Sequence, residues 1–169
     1  MEYPLTRLID NGRDPLNLQE YLAEGGYLSV RKALKSDPGE ITQMVRDSNL
    51  KGRGGAGFNT GLKWGFVPMG EEAGGDKYFI VNADEMEPGT FKDRYLMEGN
   101  PHGLIEGIIV SAYAIQANHA YIFLRWAYKK SEKMLVKAIA EAYSAGYLGR
   151  DLFGSGYSLE VHLHTSAGR

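Results

Sequence analysis

The run Lys51-Gly52-Arg53-Gly54-Gly55-Ala56-Gly57-Phe58-Asn59-Thr60-Gly61-Leu62-Lys63-Trp64 holds five glycines and little side chain from which to build a core. Glycine has no Cβ and tolerates positive φ, so such a backbone can approach a ligand closely. Arg53 and Lys63 add positive charge, while Phe58 and Trp64 offer flat apolar surface. A phosphorylated ligand with a planar ring suits that chemistry; a flexible or packing loop is the alternative. Gly52, Gly54 and Gly57 satisfy G-x-G-x-x-G, but a dinucleotide fingerprint follows a strand. Here Ile41 to Asn49 reads as a helix, so the usual Rossmann context fails. Gly52 to Thr60 can instead wrap a phosphate while a helix starting near Thr60 points its amides at it.

A second run, Asn82-Ala83-Asp84-Glu85-Met86-Glu87-Pro88-Gly89, gathers three carboxylates within four positions. Asn82 offers both a donor and an acceptor, and Asp84 can bind hydroxyls. Glu87-Pro88-Gly89-Thr90 suits a type II turn, after which Thr90 and Asp93 resemble a capping box. The bland alternative is a solvated acidic loop feeding a helix. His162 and His164 alternate along one segment and share a face; a zinc pair there lacks a third ligand, so surface histidines are the other reading.

These residues need elements to hold them. Tyr78 to Val81 is a short apolar run expected of a strand buried on both faces, and Tyr121 to Leu124 repeats it. Between them Asn100-Pro101 opens a helix carrying Leu104, Ile105, Ile108, Ile109 and Ala112 at helical spacing. Strand, helix, strand makes a βαβ unit with a right-handed crossover. A further helix is expected over about Lys129 to Ala145 and a third strand over Leu159 to Leu163. Lys129, Lys130 and Lys133 form its solvated face, and the tyrosines and methionines on helices are expected in the core. Upstream, short helices are expected around Leu16 to Leu22 and Leu28 to Leu34, broken at Gly25-Gly26. Asp37-Pro38-Gly39-Glu40 then starts a helix through Ile41, Met44 and Val45, with Asp37 as cap and Glu40 three residues on. In open α/β sheets, ligands sit beyond the carboxyl ends of strands, which is where the acidic run falls.

The chain has 169 residues, 43% hydrophobic and 24% charged, as in globular proteins, and can bury about 70% of its unfolded surface. A net charge of −2 gives no reason to expect a nucleic-acid partner. No apolar run approaches the ~18 residues of a membrane span, and the N-terminus has no signal-peptide pattern, so a cytoplasmic location without direct membrane insertion is expected. With zero cysteines the chain can ligate no thiolate-held iron–sulfur cluster.

Lys51 to Trp64 together with Asn82 to Arg94 (NADEMEPGTFKDR) resemble the NADH- and FMN-binding flavoprotein subunit of respiratory complex I. The likeness continues through Pro101-His102, Tyr121 to Arg125 and His164 to Arg169. It implies an α/β, Rossmann-like FMN-binding domain over 49–169, preceded by a helical segment over 1–48 and incomplete at the C-terminus. By motif position, Gly52, Arg53, Gly54, Gly55 and Lys63 would hold FMN, with Asn82, Asp84 and Glu85 completing the pocket. Phe58 and Phe66 would sandwich the adenine of NADH, and Glu87 would lie near the nicotinamide. No side chain is implied as an acid or base, because hydride transfer from NAD(H) falls to FMN. Partners implied are the small thioredoxin-like iron–sulfur subunit, other peripheral-arm subunits and the sequence the chain lacks, at the inner face of the cell membrane. The family's Gly-Glu-Glu segment and the four cysteines of its [4Fe–4S] cluster are not in this sequence. Ser166 stands where glycine is usual, and Trp126-Ala127 depart from the usual residues. A non-catalytic remnant, or the diaphorase subunit of an NAD-linked hydrogenase or formate dehydrogenase, are the other readings.

Overall fold

A computed structural model describes residues 3–10 and 12–167. Three short helices lead: α1 (Leu18–Ala23), α2 (Leu28–Ala33) and α3 (Pro38–Asp47). Their starts are chemically explicit. Asn17 and Asp37 each accept a backbone N–H at the helix start, and Glu20 and Glu40 reach back to close capping boxes. On α3, Ile41 is buried, but Met44, expected in the core, is 57% exposed. The glycine run follows, then α4 (Thr60–Trp64), capped by Asn59.

The remainder alternates: β1 (Tyr78–Ala83), α5 (Lys92–Gly99), α6 (Pro101–Ala114), β2 (His119–Leu124), α7 (Lys129–Ser144) and β3 (Glu160–Thr165). The sheet order is β1-β2-β3, and both pairings are parallel. Ala83, Leu124 and Thr165 lie in register, so the strands end flush at one carboxyl edge. Two helices, α5 and α6, make the first crossover. Lys129, Lys130 and Lys133 are exposed as expected, the first two in ion pairs with Glu132 and Glu98.

One face of the sheet packs on the helices. Ala83, Ala120, Ile122, Leu124 and Val161 join Ile105, Ile109, Leu135 and Ala142 in a core that also takes in Tyr21, Tyr27 and Val30. The opposite face is open, which corrects the expectation that Tyr78 to Val81 is buried on both sides. Tyr78 is 55% and Ile80 60% exposed, whereas Phe79 and Val81 pack inward. A continuous apolar run does not reveal this, because parallel strands ordinarily have both faces covered. On the open face aromatic and histidine rings form a ladder: His162 stacks on Tyr121 at 4.8 Å, His119 on Tyr78 at 5.6 Å, and His164 on Phe123 at 5.6 Å. His162 and His164 therefore share a face. Gly168 and Arg169, the last residues of the matching C-terminal run, lie outside the described residues.

Candidate functional site

The glycine run folds as a tight loop pinned at its base. Gly52 N–H donates to the Phe58 carbonyl and Thr60 N–H to that of Leu50, both at 2.8 Å, with Lys51 bridged to Asn59. Gly55 and Gly57 have φ of +118° and +61°, a region that L side chains rarely adopt. A Cβ built on Gly54, Gly55 or Gly57 would meet no protein atom within 4 Å, so the tip is open on its outer side. Behind it the fit is close. A Cβ on Gly61 would stand 2.2 Å from the Arg46 nitrogen, so this glycine lets α4 lie directly on α3 and fixes the end of the loop.

Opposite the loop stands the carboxyl edge of β1. Asn82 Oδ1 accepts the Asp84 N–H at 3.0 Å, which leaves the Asn82 amide group free to donate. Gly89 has φ of +80° and Thr90 N–H donates to the Glu87 carbonyl at 3.1 Å, as a type II turn requires. The capping expectation for the next helix needs correction. Phe91, not Thr90, is the cap position of α5 and makes no side-chain cap bond. Glu85 does that work from a distance, accepting the Asp93 N–H at 3.1 Å and the Arg94 N–H at 3.3 Å.

Loop and strand end enclose a cavity of about 690 Å³ lined by Arg53, Gly54, Gly55, Asn82, Asp84, Glu85 and Glu87. That size falls within the ~300–1,000 Å³ of small-molecule sites. These seven residues, all expected at the site from sequence, thus surround one space. Met86, Thr90, Lys92 and Asp93 also line it; in sequence, only their membership of the same acidic motif hints at that place. The other candidates lie elsewhere. Gly52, Phe58 and Lys63 line a neighbouring cavity of about 490 Å³ that shares Gly54 with the first. Phe66 opens onto a third, between α3 and α4. The Phe58 and Phe66 rings are 6.2 Å apart and tilted by 49°, so they do not stand parallel as a sandwich.

The electrostatics are mixed. Arg53 faces an acidic wall in which Lys92 pairs with Asp93 at 2.7 Å and approaches Glu85 at 3.8 Å. Burial pushes the Glu85 carboxyl pKa up, but the two amides, the Tyr128 hydroxyl and Lys92 together outweigh it, and the net displacement is downward. Glu85 is therefore ionised at neutral pH. Open backbone and the Arg53 cation on one wall, with acceptors and an amide on the other, fit FMN: the first wall suits phosphate, the second suits ring and hydroxyl groups. Among the described residues, no group of three or more histidines and carboxylates could hold a metal ion.

Comparison with known proteins identifies the family. Residues 45–169 match the family described as the Nuo51 FMN-binding domain. The chain is 49% identical over 168 residues to the F subunit of NADH-quinone oxidoreductase of Escherichia coli, covering 99% of this chain and 38% of that protein. It is 55% identical over 152 residues to the F 2 subunit of the Rhizobium meliloti enzyme, covering 89% and 36%. The Aquifex aeolicus counterpart is 48% identical over 169 residues, covering 99% and 39%. The chain thus spans a little over a third of the length of these relatives. A crystal structure of an NAD+-reducing [NiFe]-hydrogenase in its H2-reduced state superimposes with a TM-score of 0.69 at 37% identity, covering 80% of this chain and 23% of that one. On its matched residues, its sheet and its loop, this chain belongs to the Nuo51 FMN-binding domain family.

Proposed function

We propose that this chain supplies the FMN- and NADH-facing walls of an NADH dehydrogenase (quinone) flavoprotein. The observation that carries the reading is the open glycine tip facing Asn82, Asp84 and Glu87 across one cavity at the carboxyl edge of the sheet. Backbone amides of Gly54 and Gly55, with Arg53, take the flavin phosphate, while Gly52, whose N–H is held by the Phe58 carbonyl, and Lys63 support the loop from the neighbouring cavity. Asn82 donates its free amide and Asp84 accepts hydroxyls. Glu87 borders the nicotinamide position, and Phe58 and Phe66 swing parallel to take the adenine, a motion open to exposed rings. FMN, when bound, supplies hydride acceptance and single-electron release, while the protein positions the two rings and shields them. These 169 residues contain no cysteine and so hold no thiolate ligand of an iron–sulfur cluster. The partners of this reading are the small thioredoxin-like iron–sulfur subunit and other peripheral-arm subunits at the inner membrane face. No helix among the described residues is long and apolar enough to cross a membrane.

The hydrogenase likeness supports a second assembly, the diaphorase of an NAD-linked hydrogenase, with the same chemistry at this site. The test of the common reading is flavin binding. The chain is titrated with FMN alone and together with the C-terminal remainder of a homologous flavoprotein, following fluorescence quenching and bleaching by NADH. Weak binding alone and tight, NADH-bleachable binding by the pair is the expected result. Absence of flavin binding by the pair would overturn the reading.

A further inference from the structure

Glu85 borders the cavity, yet its carboxylate is already occupied. Its side chain is 2% exposed. Oε1 accepts the Asp93 N–H at 3.1 Å and lies 3.8 Å from Lys92 Nζ. Oε2 accepts the Arg94 N–H at 3.3 Å and the Tyr128 hydroxyl at 3.2 Å. A carboxylate has about four lone-pair sites, so little capacity is left for a ligand. The Glu85 carbonyl is occupied as well, by the Arg125 guanidinium. These partners come from two places: the first turn of α5, and the connection that leaves β2 for α7.

We infer that Glu85 is a positioning residue, and that with Arg125 and Tyr128 it locks the acidic turn presenting Asn82, Asp84 and Glu87 to the cavity. The turn runs from the end of β1 to α5, and its own internal bonds are few: Asp84 N–H to Asn82, and Thr90 N–H to Glu87. Without Glu85, α5 has no side-chain cap, because Phe91 provides none. Arg125 and Tyr128 hold the turn from the neighbouring strand's side, and the cavity wall is thereby built from three elements at once. This assignment rests on the proposed flavin site, and it moves Glu85 from the ligand's contacts to their support.

Glu85→Gln is the informative change, because its amide N–H2 must confront a backbone N–H that now donates to a carboxylate oxygen. Amide hydrogen exchange reads the anchor without any flavin. In the wild-type chain Asp93 and Arg94 are protected, and Glu85→Gln speeds their exchange at least tenfold. Asp84→Asn, on the same turn but without those bonds, leaves both amides as they were. The FMN affinity is then compared well below each protein's melting temperature, in the presence of the homologous C-terminal remainder, so that loss of folded protein does not contribute. Glu85→Gln weakens FMN binding about tenfold, and the milder Tyr128→Phe about threefold. Unchanged exchange at Asp93 and Arg94 in Glu85→Gln would remove the anchor. Faster exchange with unchanged FMN affinity would show a purely structural cap and overturn the positioning role. If the wild-type pair binds no FMN, the flavin site itself fails and positioning has nothing to act on, while the exchange arm still reports on the anchor.

Discussion

At the residue scale, two positions show how differently one side chain can act. Gly54 faces empty space, with no protein atom within 4 Å of an added Cβ and no positive φ to strain one. Gly54→Ala should therefore leave stability unchanged or raise it by up to about 1 kcal/mol, through lower unfolded-state entropy. It should also weaken FMN binding tenfold or more by filling the approach to the backbone. Urea midpoints and flavin titration check the two halves separately. His102 is the opposite case, 1% exposed, with Nδ1 3.0 Å from the Tyr27 hydroxyl and Nε2 2.9 Å from Glu141 Oε2. Burial lowers its pKa, with Lys137 acting in the same direction, and outweighs the upward pull of Glu141. The folded protein thus keeps His102 neutral where the unfolded chain, titrating near 6.5, takes a proton. Stability from this group is complete above that pH and declines as pH falls toward the folded-state value. His102→Gln should cost about 1–3 kcal/mol above pH 6.5, yet show a flatter decline below it, as read from urea midpoints across pH.

At the element scale, the ends of helices carried most of what the sequence disclosed. Asp37-Pro38 and Asn100-Pro101 open helices where their chemistry said they would, because caps act within three or four residues. The α5 cap was not legible for the same reason. Glu85 lies eight and nine residues from the amides it accepts and 43 from Tyr128, and no local pattern encodes such reach. Nor could spacing show that the glycine run divides two cavities, since Lys63 and Phe58 go to one side while Arg53 goes to the other. Gly61 was legible as a loop glycine but not as a packing one. Its Cβ position lies 2.2 Å from Arg46 N and 2.5 Å from its Cα, both backbone atoms that cannot rotate away. Gly61→Ala should cost about 1–3 kcal/mol by overpacking and also weaken FMN binding, because α4 must lift from α3 and take the loop end with it. Comparable stability loss with unchanged flavin affinity would mean that the α3–α4 crossing does not set the loop.

At the scale of the whole molecule, the open sheet face dominates. Every strand pairing is parallel, and the buried residues of the sheet share one core with the helices, while Tyr78, Ile80 and Phe123 remain 55%, 60% and 37% exposed on the other side. Parallel sheets are almost always covered on both faces, and an exposed apolar patch beside two strand edges favours association. The strand β2 is flanked on both sides, so its open-face rings Tyr121 and Phe123 sit at the centre of that patch. In isolation the chain should bind hydrophobic dyes and self-associate as its concentration rises. Replacing Ile80 and Phe123 together by lysine tests the cause. Neither side chain belongs to the packed core, so the change should shift the melting temperature little, while charge on the ladder breaks the patch. Sedimentation velocity should then show a concentration-dependent mass for the wild type and a monomer for the double variant. A wild-type monomer with a sharp, reversible melt would mean that the histidine and tyrosine rings of the ladder hydrate the face well enough to keep it apart from other copies.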